Sequence, residues 1–147
     1  MKAASGIRLT SEEMKHIALF ESITGAAVRD CIIDEEHNRI IIVVKEGDMG
    51  IAVGRRGRNI KLLEKLTGKR HEVVEFSEDP RKFFINVLKP AEVLNVRIVE
   101  KPDGRVVAVV TVNPKDKGIA IGKNGKNAQK IRMLAKRYFQ IDHVAIT

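Results

Sequence analysis

The chain contains one cysteine, one tyrosine and no tryptophan among its 147 residues. With Cys31 alone, neither an intramolecular disulfide framework nor a cysteine-rich zinc site can form. Cys31 stands in the apolar run from Val28 to Ile33 and reads as a small buried hydrophobe rather than a catalytic thiol. Aromatic residues make up only 4% of the chain. A strand-borne stacking platform for bases needs several exposed rings, whereas Phe83, Phe84 and Tyr138 recur at helical spacing. No apolar stretch is long enough to span a bilayer, and the N-terminus lacks the hydrophobic core of a signal peptide. A cytoplasmic protein with no membrane association is expected.

Catalytic and cofactor chemistry are equally short of residues. Gly118-Ile119-Ala120-Ile121-Gly122-Lys123-Asn124 is one residue too short between its glycines for a Walker A loop and ends in Asn. Neither glycine-rich segment contains G-x-G-x-x-G, so a dinucleotide fingerprint also fails. His16, His37, His71 and His143 are scattered and have no metal-ligand spacing. Glu12-Glu13 and Glu35-Glu36 read as helix-start and turn charges. The sequence therefore predicts no enzyme, no cofactor, no resident metal and no catalytic residue.

What the chain does have is positive charge and a repeat. Lys and Arg number 27 against 19 Asp and Glu, a formal net charge of +8 that favours polyanionic partners. Gly50-Ile51-Ala52-Val53-Gly54-Arg55-Arg56-Gly57-Arg58-Asn59 is echoed by Gly118-Ile119-Ala120-Ile121-Gly122-Lys123-Asn124-Gly125-Lys126-Asn127. The apolar runs Ile40 to Val44 and Val106 to Val110 precede the two copies. A helical pattern and another strand-like stretch follow each. Duplication of one small unit explains how so short a chain can hold two domains, here placed at 1–76 and 77–147.

Local signals set the element order. Thr10 with Glu13 forms a capping box for a helix running to about residue 24, and Gly25 can close it. Strands are expected at 28–33 and 40–44, a short helix at 49–53, a second helix ending at Gly68, and a strand at 71–76. In the second unit Asp79 caps a helix begun by Pro80, which ends at Lys89-Pro90. Strands at 93–99 and 105–112 come next. Then follow a short helix, the second glycine loop, a helix with Ala128, Ile131, Leu134, Ala135 and Tyr138 on one stripe, and a strand at 141–146.

Each glycine pair brackets two polar residues just before a helix. Glycine lets backbone approach a ligand closely, and a helix start offers unpaired N–H groups and the positive end of its dipole. Arg55, Arg56, Arg58 and Lys61 surround the first pair, Gly54 and Gly57, with no acid in 54–63. Lys123, Asn124, Lys126, Lys130 and Arg132 surround the second, Gly122 and Gly125, with no acid in 122–132. A phosphodiester backbone fits this combination.

The element order and both G-x-x-G loops resemble the type II KH-domain family. That resemblance implies an α+β fold of two tandem domains, each a three-stranded mixed sheet packed against helices. It also implies a clamp on the backbone of single-stranded RNA at each loop. The RNA-binding set would be Gly54, Arg55, Arg56, Gly57, Arg58, Lys61, Gly122, Lys123, Asn124, Gly125, Lys126 and Lys130. Ile51, Val53 and Ile60 would line or support an apolar base groove in the first unit, and Ile119, Ile121 and Ala128 in the second. More narrowly, the paired motifs, each followed by a basic residue and Asn, resemble archaeal NusA-like transcription factors. The implied role is binding nascent transcript in elongation, termination or antitermination, as a monomer, with RNA polymerase or the transcription complex as a further implied partner. A ribosome-associated or ribosome-assembly KH protein shares the same local physics and is the alternative.

Overall fold

A computed structural model describes residues 7–147. The chain divides into two compact units between Ser77 and Glu78. The first unit runs α1 (Ser11–Thr24), β1 (Val28–Asp34), β2 (Arg39–Val44), α2 (Met49–Val53), α3 (Arg58–Thr67) and β3 (Arg70–Glu75). The second runs α4 (Pro80–Leu88), β4 (Val93–Glu100), β5 (Val106–Val112), α5 (Lys117–Ile121), α6 (Lys126–Phe139) and β6 (His143–Ile146). A single 3-10 turn links the two helices on either side of each glycine loop, at Arg55–Gly57 and Lys123–Gly125.

Both sheets have the same topology. β2 pairs antiparallel with β1 and parallel with β3, and β5 pairs antiparallel with β4 and parallel with β6. These are the three-stranded mixed sheets expected of two type II KH domains. β-branched residues favour the pleated, packed environment of β2, whose six residues are all buried. Ile40, Ile42 and Val44 of β2 join Phe20, Cys31, Ala52 and Leu63 in the core between this sheet and its helices. Cys31 is fully buried there, as its apolar neighbours predict.

The capping box forms as read: Glu13 donates its N–H to Thr10 Oγ1 at 3.1 Å, and Thr10 returns its own to Glu13 Oε1 at 2.8 Å. In the second unit Asp79 caps α4 by accepting from Arg81 N at 3.1 Å. Phe83 of α4 meets Tyr138 and Phe139 of α6 edge-on, each with ring centroids 5.6 Å apart. Such tilted pairs favour the aromatic quadrupole and bind the two helices together. Of the remaining rings, Phe84 joins this cluster, Phe20 is in the first core, and Phe76 lies 3.9 Å beneath the Arg29 guanidinium. None of the six rings lies on a strand.

The other strands fall within one residue of the sequence reading, and the last differs by two. The last strand starts at His143 rather than Ile141. Gln140 adopts the left-handed conformation that closes α6, and Ile141 donates its N–H back to the Ala135 carbonyl at 3.2 Å. Residues 140 and 141 are thus spent on ending the helix. Ile141 is apolar because it is buried, not because it extends the ladder.

Candidate nucleic-acid interface

Each G-x-x-G loop is built by the crossover that carries the chain from the central strand to the parallel edge strand. In the first unit this path is β2, α2, loop, α3, β3. α2 stops at Gly54, whose N–H bonds to the Gly50 carbonyl at 3.0 Å and whose φ of 77° and ψ of 169° lie in a region only glycine enters readily. Gly122 repeats this with φ 80° and ψ 164°. Gly57 then donates to the Gly54 carbonyl at 3.1 Å, and Gly125 to that of Gly122 at 3.0 Å, closing matching tight turns.

Between the glycines the second of the two residues is left-handed in both copies: Arg56 at φ 55° and Asn124 at φ 58°. Gly57 and Gly125 follow, also left-handed. Turns of this kind gather successive N–H groups into concavities suited to anions. Asn tolerates the conformation better than Arg, so the second loop holds the same shape at lower local strain.

The side chains around the first loop are open to solvent. Arg55, Arg56, Arg58 and Lys61 are all exposed. The Lys61 side chain reaches back over the turn, with Cε 4.0 Å from the position a Cβ would take on Gly57. Glu64, the one acid in α3, is turned away to accept the N–H of His71 at 2.8 Å. In the second loop Lys123 and Asn124 are exposed and Lys126 is partly exposed. Lys130 stands apart from this set at 7% exposure. A lysine so covered presents little of itself to a phosphate, and it is not the counterpart of Lys61 in the repeat. Counting from the last loop glycine, Lys130 matches Leu62, whereas the position matching Lys61 is Gln129.

The apolar residues beside the loops also separate into two kinds. Ile51 and Ile119 are 51% and 49% exposed, unusual for isoleucine and placed identically in the two units. Val53, Ile60 and Ile121 are intermediate, with Ile60 packed against the first core, while Ala128 is buried. Of these six residues, Ile51 and Ile119 leave the most apolar surface open to solvent.

Sequence reasoning missed the bond made by the acid that precedes each short helix. Asp48 Oδ2 accepts the N–H of Ala27 at 2.8 Å, and Asp116 Oδ2 that of Glu92 at 2.9 Å. Both bonds tie the approach to the first strand of a unit to the start of the helix leading into the loop. The signal was present as Asp at corresponding places in the repeat. The role of Asp48 is visible only once the strand start is next to it.

Other clusters lie elsewhere. Asp34, Glu36 and His37 gather at the β1–β2 turn within 4.8 Å of one another. Asp34 Oδ2 already accepts from Arg39 Nε at 2.8 Å and lies 3.0 Å from His37 Nδ1, so the turn is an ion-pair network around a buried arginine. Burial opposes the charge on Asp34, but those hydrogen bonds outweigh it and hold its carboxyl below the ordinary value. A shallow groove of about 220 Å³ is lined by Arg81, Ile85, Val93, Leu94, Asn95 and Val96. It lies at the β4 edge, whereas the loop crossover leads to β6 on the other edge of the same sheet. Among the described residues no helix is long and apolar enough to cross a membrane.

Comparison with known proteins agrees with this geometry. Residues 15–78 match the KH domain family, and residues 80–147 match the NusA-like second KH domain. A protein of Methanocaldococcus jannaschii described as "Probable transcription termination protein NusA" is 36% identical over 140 residues, covering 95% of this chain and 75% of its own. Its counterpart from Halobacterium salinarum is 38% identical over 141 residues, covering 96% and 99%. A solved structure described as "Crystal structure of APE1850" superposes with a TM-score of 0.83 at 41% identity, covering 95% of this chain and all of the other. The chain belongs to the NusA-like family of tandem KH-domain proteins found in archaea.

Proposed function

We propose that the chain clamps the backbone of single-stranded RNA at two loops and acts on nascent transcript in the control of elongation or termination. KH modules are non-catalytic and hold about four nucleotides at the G-x-x-G turn. The observation that carries the reading is the near-superimposable backbone of the two loops, left-handed at Arg56 and Asn124 and each flanked by solvent-facing cations. Phosphates would meet Arg55, Arg56, Arg58 and Lys61 in the first unit and Lys123 and Lys126 in the second. Asn124 offers a neutral hydrogen-bonding side chain at the close-approach point, and Gly54, Gly57, Gly122 and Gly125 allow that approach. Lys130, being covered, supports the helix instead. Ile51 and Ile119 give bases an aliphatic surface, in keeping with the lack of strand-borne rings.

The role in transcription rests on the family, whose relatives are described as probable transcription termination proteins. RNA polymerase is a proposed partner on the same ground. Fluorescence anisotropy with length-matched oligomers tests the binding mode, because neither loop presents a helix suited to a major groove. Unstructured single-stranded RNA should bind more tightly than duplex RNA or duplex DNA, and preference for duplex DNA would overturn the groove mechanism.

A further inference from the structure

The repeat ends on Asn59 in one copy and Asn127 in the other, each the second residue of the helix that follows its loop. Asn is a poor helix former at ordinary positions because its amide competes for backbone groups. Here the amide has a fixed task. Asn59 Nδ2 donates to the carbonyl of Ile51 at 2.9 Å, and Asn127 Nδ2 to that of Ile119 at 2.8 Å, each across eight residues.

The acceptor is a carbonyl that α2 cannot satisfy by itself. In a continuing helix the Ile51 oxygen would receive the N–H of residue 55. The chain leaves the helix at Gly54, where ψ is 169°, so the carbonyl joins the unsatisfied groups of a helix C-terminus. The same amide packs on the first loop glycine. A Cβ on Gly54 would stand 2.9 Å from Asn59 Nδ2, and one on Gly122 would stand 2.9 Å from Asn127 Cγ. One neutral side chain thus joins the end of the short helix, the first glycine and the start of the next helix. The carbonyl it holds belongs to the exposed isoleucine beside the loop.

We propose that Asn59 and Asn127 are positioning residues for RNA-backbone binding: the cross-loop amide fixes the two helix ends and the turn between them in the shape that receives phosphate. The inference rests on the loop-clamp reading above. It assigns the asparagines no charge contact with RNA, which separates them from the cations in a salt titration.

The test uses the full chain with Asn127→Ala, Asn127→Leu, which keeps a branched shape without the donor, and Lys123→Ala as a comparison. Each is checked by circular dichroism and thermal melting, then titrated with single-stranded RNA across a range of salt. Loss of one ordering hydrogen bond should raise Kd by about tenfold in both Asn127 variants. The slope of log K against log salt should stay at the parent value, because no counterion-releasing contact is removed. Lys123→Ala should make the slope shallower by about 0.7. Folded Asn127 variants with parental affinity would overturn the proposal, as would a slope change matching that of Lys123→Ala. Unfolding of both would also overturn it, since the amide would then hold the unit rather than the loop. A parent chain that binds no single-stranded RNA would instead sink the loop-clamp reading.

Discussion

Gly122 lies against the side chain of Asn127 so closely that a methyl group on it would stand 2.9 Å from Cγ and Nδ2 and 3.0 Å from the backbone nitrogen. Its φ of 80° is also unfavourable for any side chain. By contrast, Gly118, four residues earlier, has open space within 4 Å and no positive φ. These two glycines of one motif should therefore respond in opposite directions. Gly122→Ala should destabilise the chain by about 1–3 kcal/mol, while Gly118→Ala, inside a helix, should stabilise it by roughly 0.4–1 kcal/mol. Urea unfolding of both variants measures this, and equal effects would mean that the loop backbone is not held as described.

His71 makes the stability of the first unit depend on pH. It is 7% exposed, and burial holds its pKa below the ordinary 6.5, with His16 adding to the effect, against the Lys69 carbonyl and Glu64, which pull the other way. The unfolded chain then takes up a proton before the folded one does. Stability should be full above about pH 6.5 and decline as pH falls toward the lower folded-state value, by at most about 1.4 kcal/mol per pH unit. Denaturant midpoints between pH 5 and 7.5 should show this decline in the parent and a weaker one in His71→Gln. Parallel profiles for the two would contradict it.

Most of the architecture was legible because short-range chemistry marks it. Thr10 and Glu13, Asp79 and Pro80, and the β-branched run at 40–44 each announce an element through local bonding or packing preference. The loops were legible because duplication repeats the signal. What escaped were features set by partners distant in sequence. Lys130 looks like Lys61 in a list of cations, yet it is only 7% exposed. Ile141 looks like the start of a strand but serves as a buried helix terminus. Asn59 and Asn127 were visible as a shared letter, while their acceptor eight residues back depended on where the short helix stops. The contact of the Arg29 guanidinium with the Phe76 ring likewise needed the sheet to exist first.

The central claim is that both loops grip RNA, and charge reversal at their exposed centres tests it most directly. Arg55-Arg56 are replaced by Asp-Asp in one variant, Lys123-Asn124 by Asp-Asp in a second, and all four in a third, with every loop glycine kept. Asp tolerates the left-handed position at 56 and 124, so the backbone should survive. Circular dichroism and melting confirm that each variant is folded before binding is read. On single-stranded RNA long enough to reach both units, the parent should show a salt slope of about −4 if six phosphates are neutralised. Each single-loop variant should bind substantially more weakly, and the folded four-residue variant should lose nearly all affinity. A folded four-residue variant that holds the same RNA as tightly as the parent would contradict the assignment of both loops.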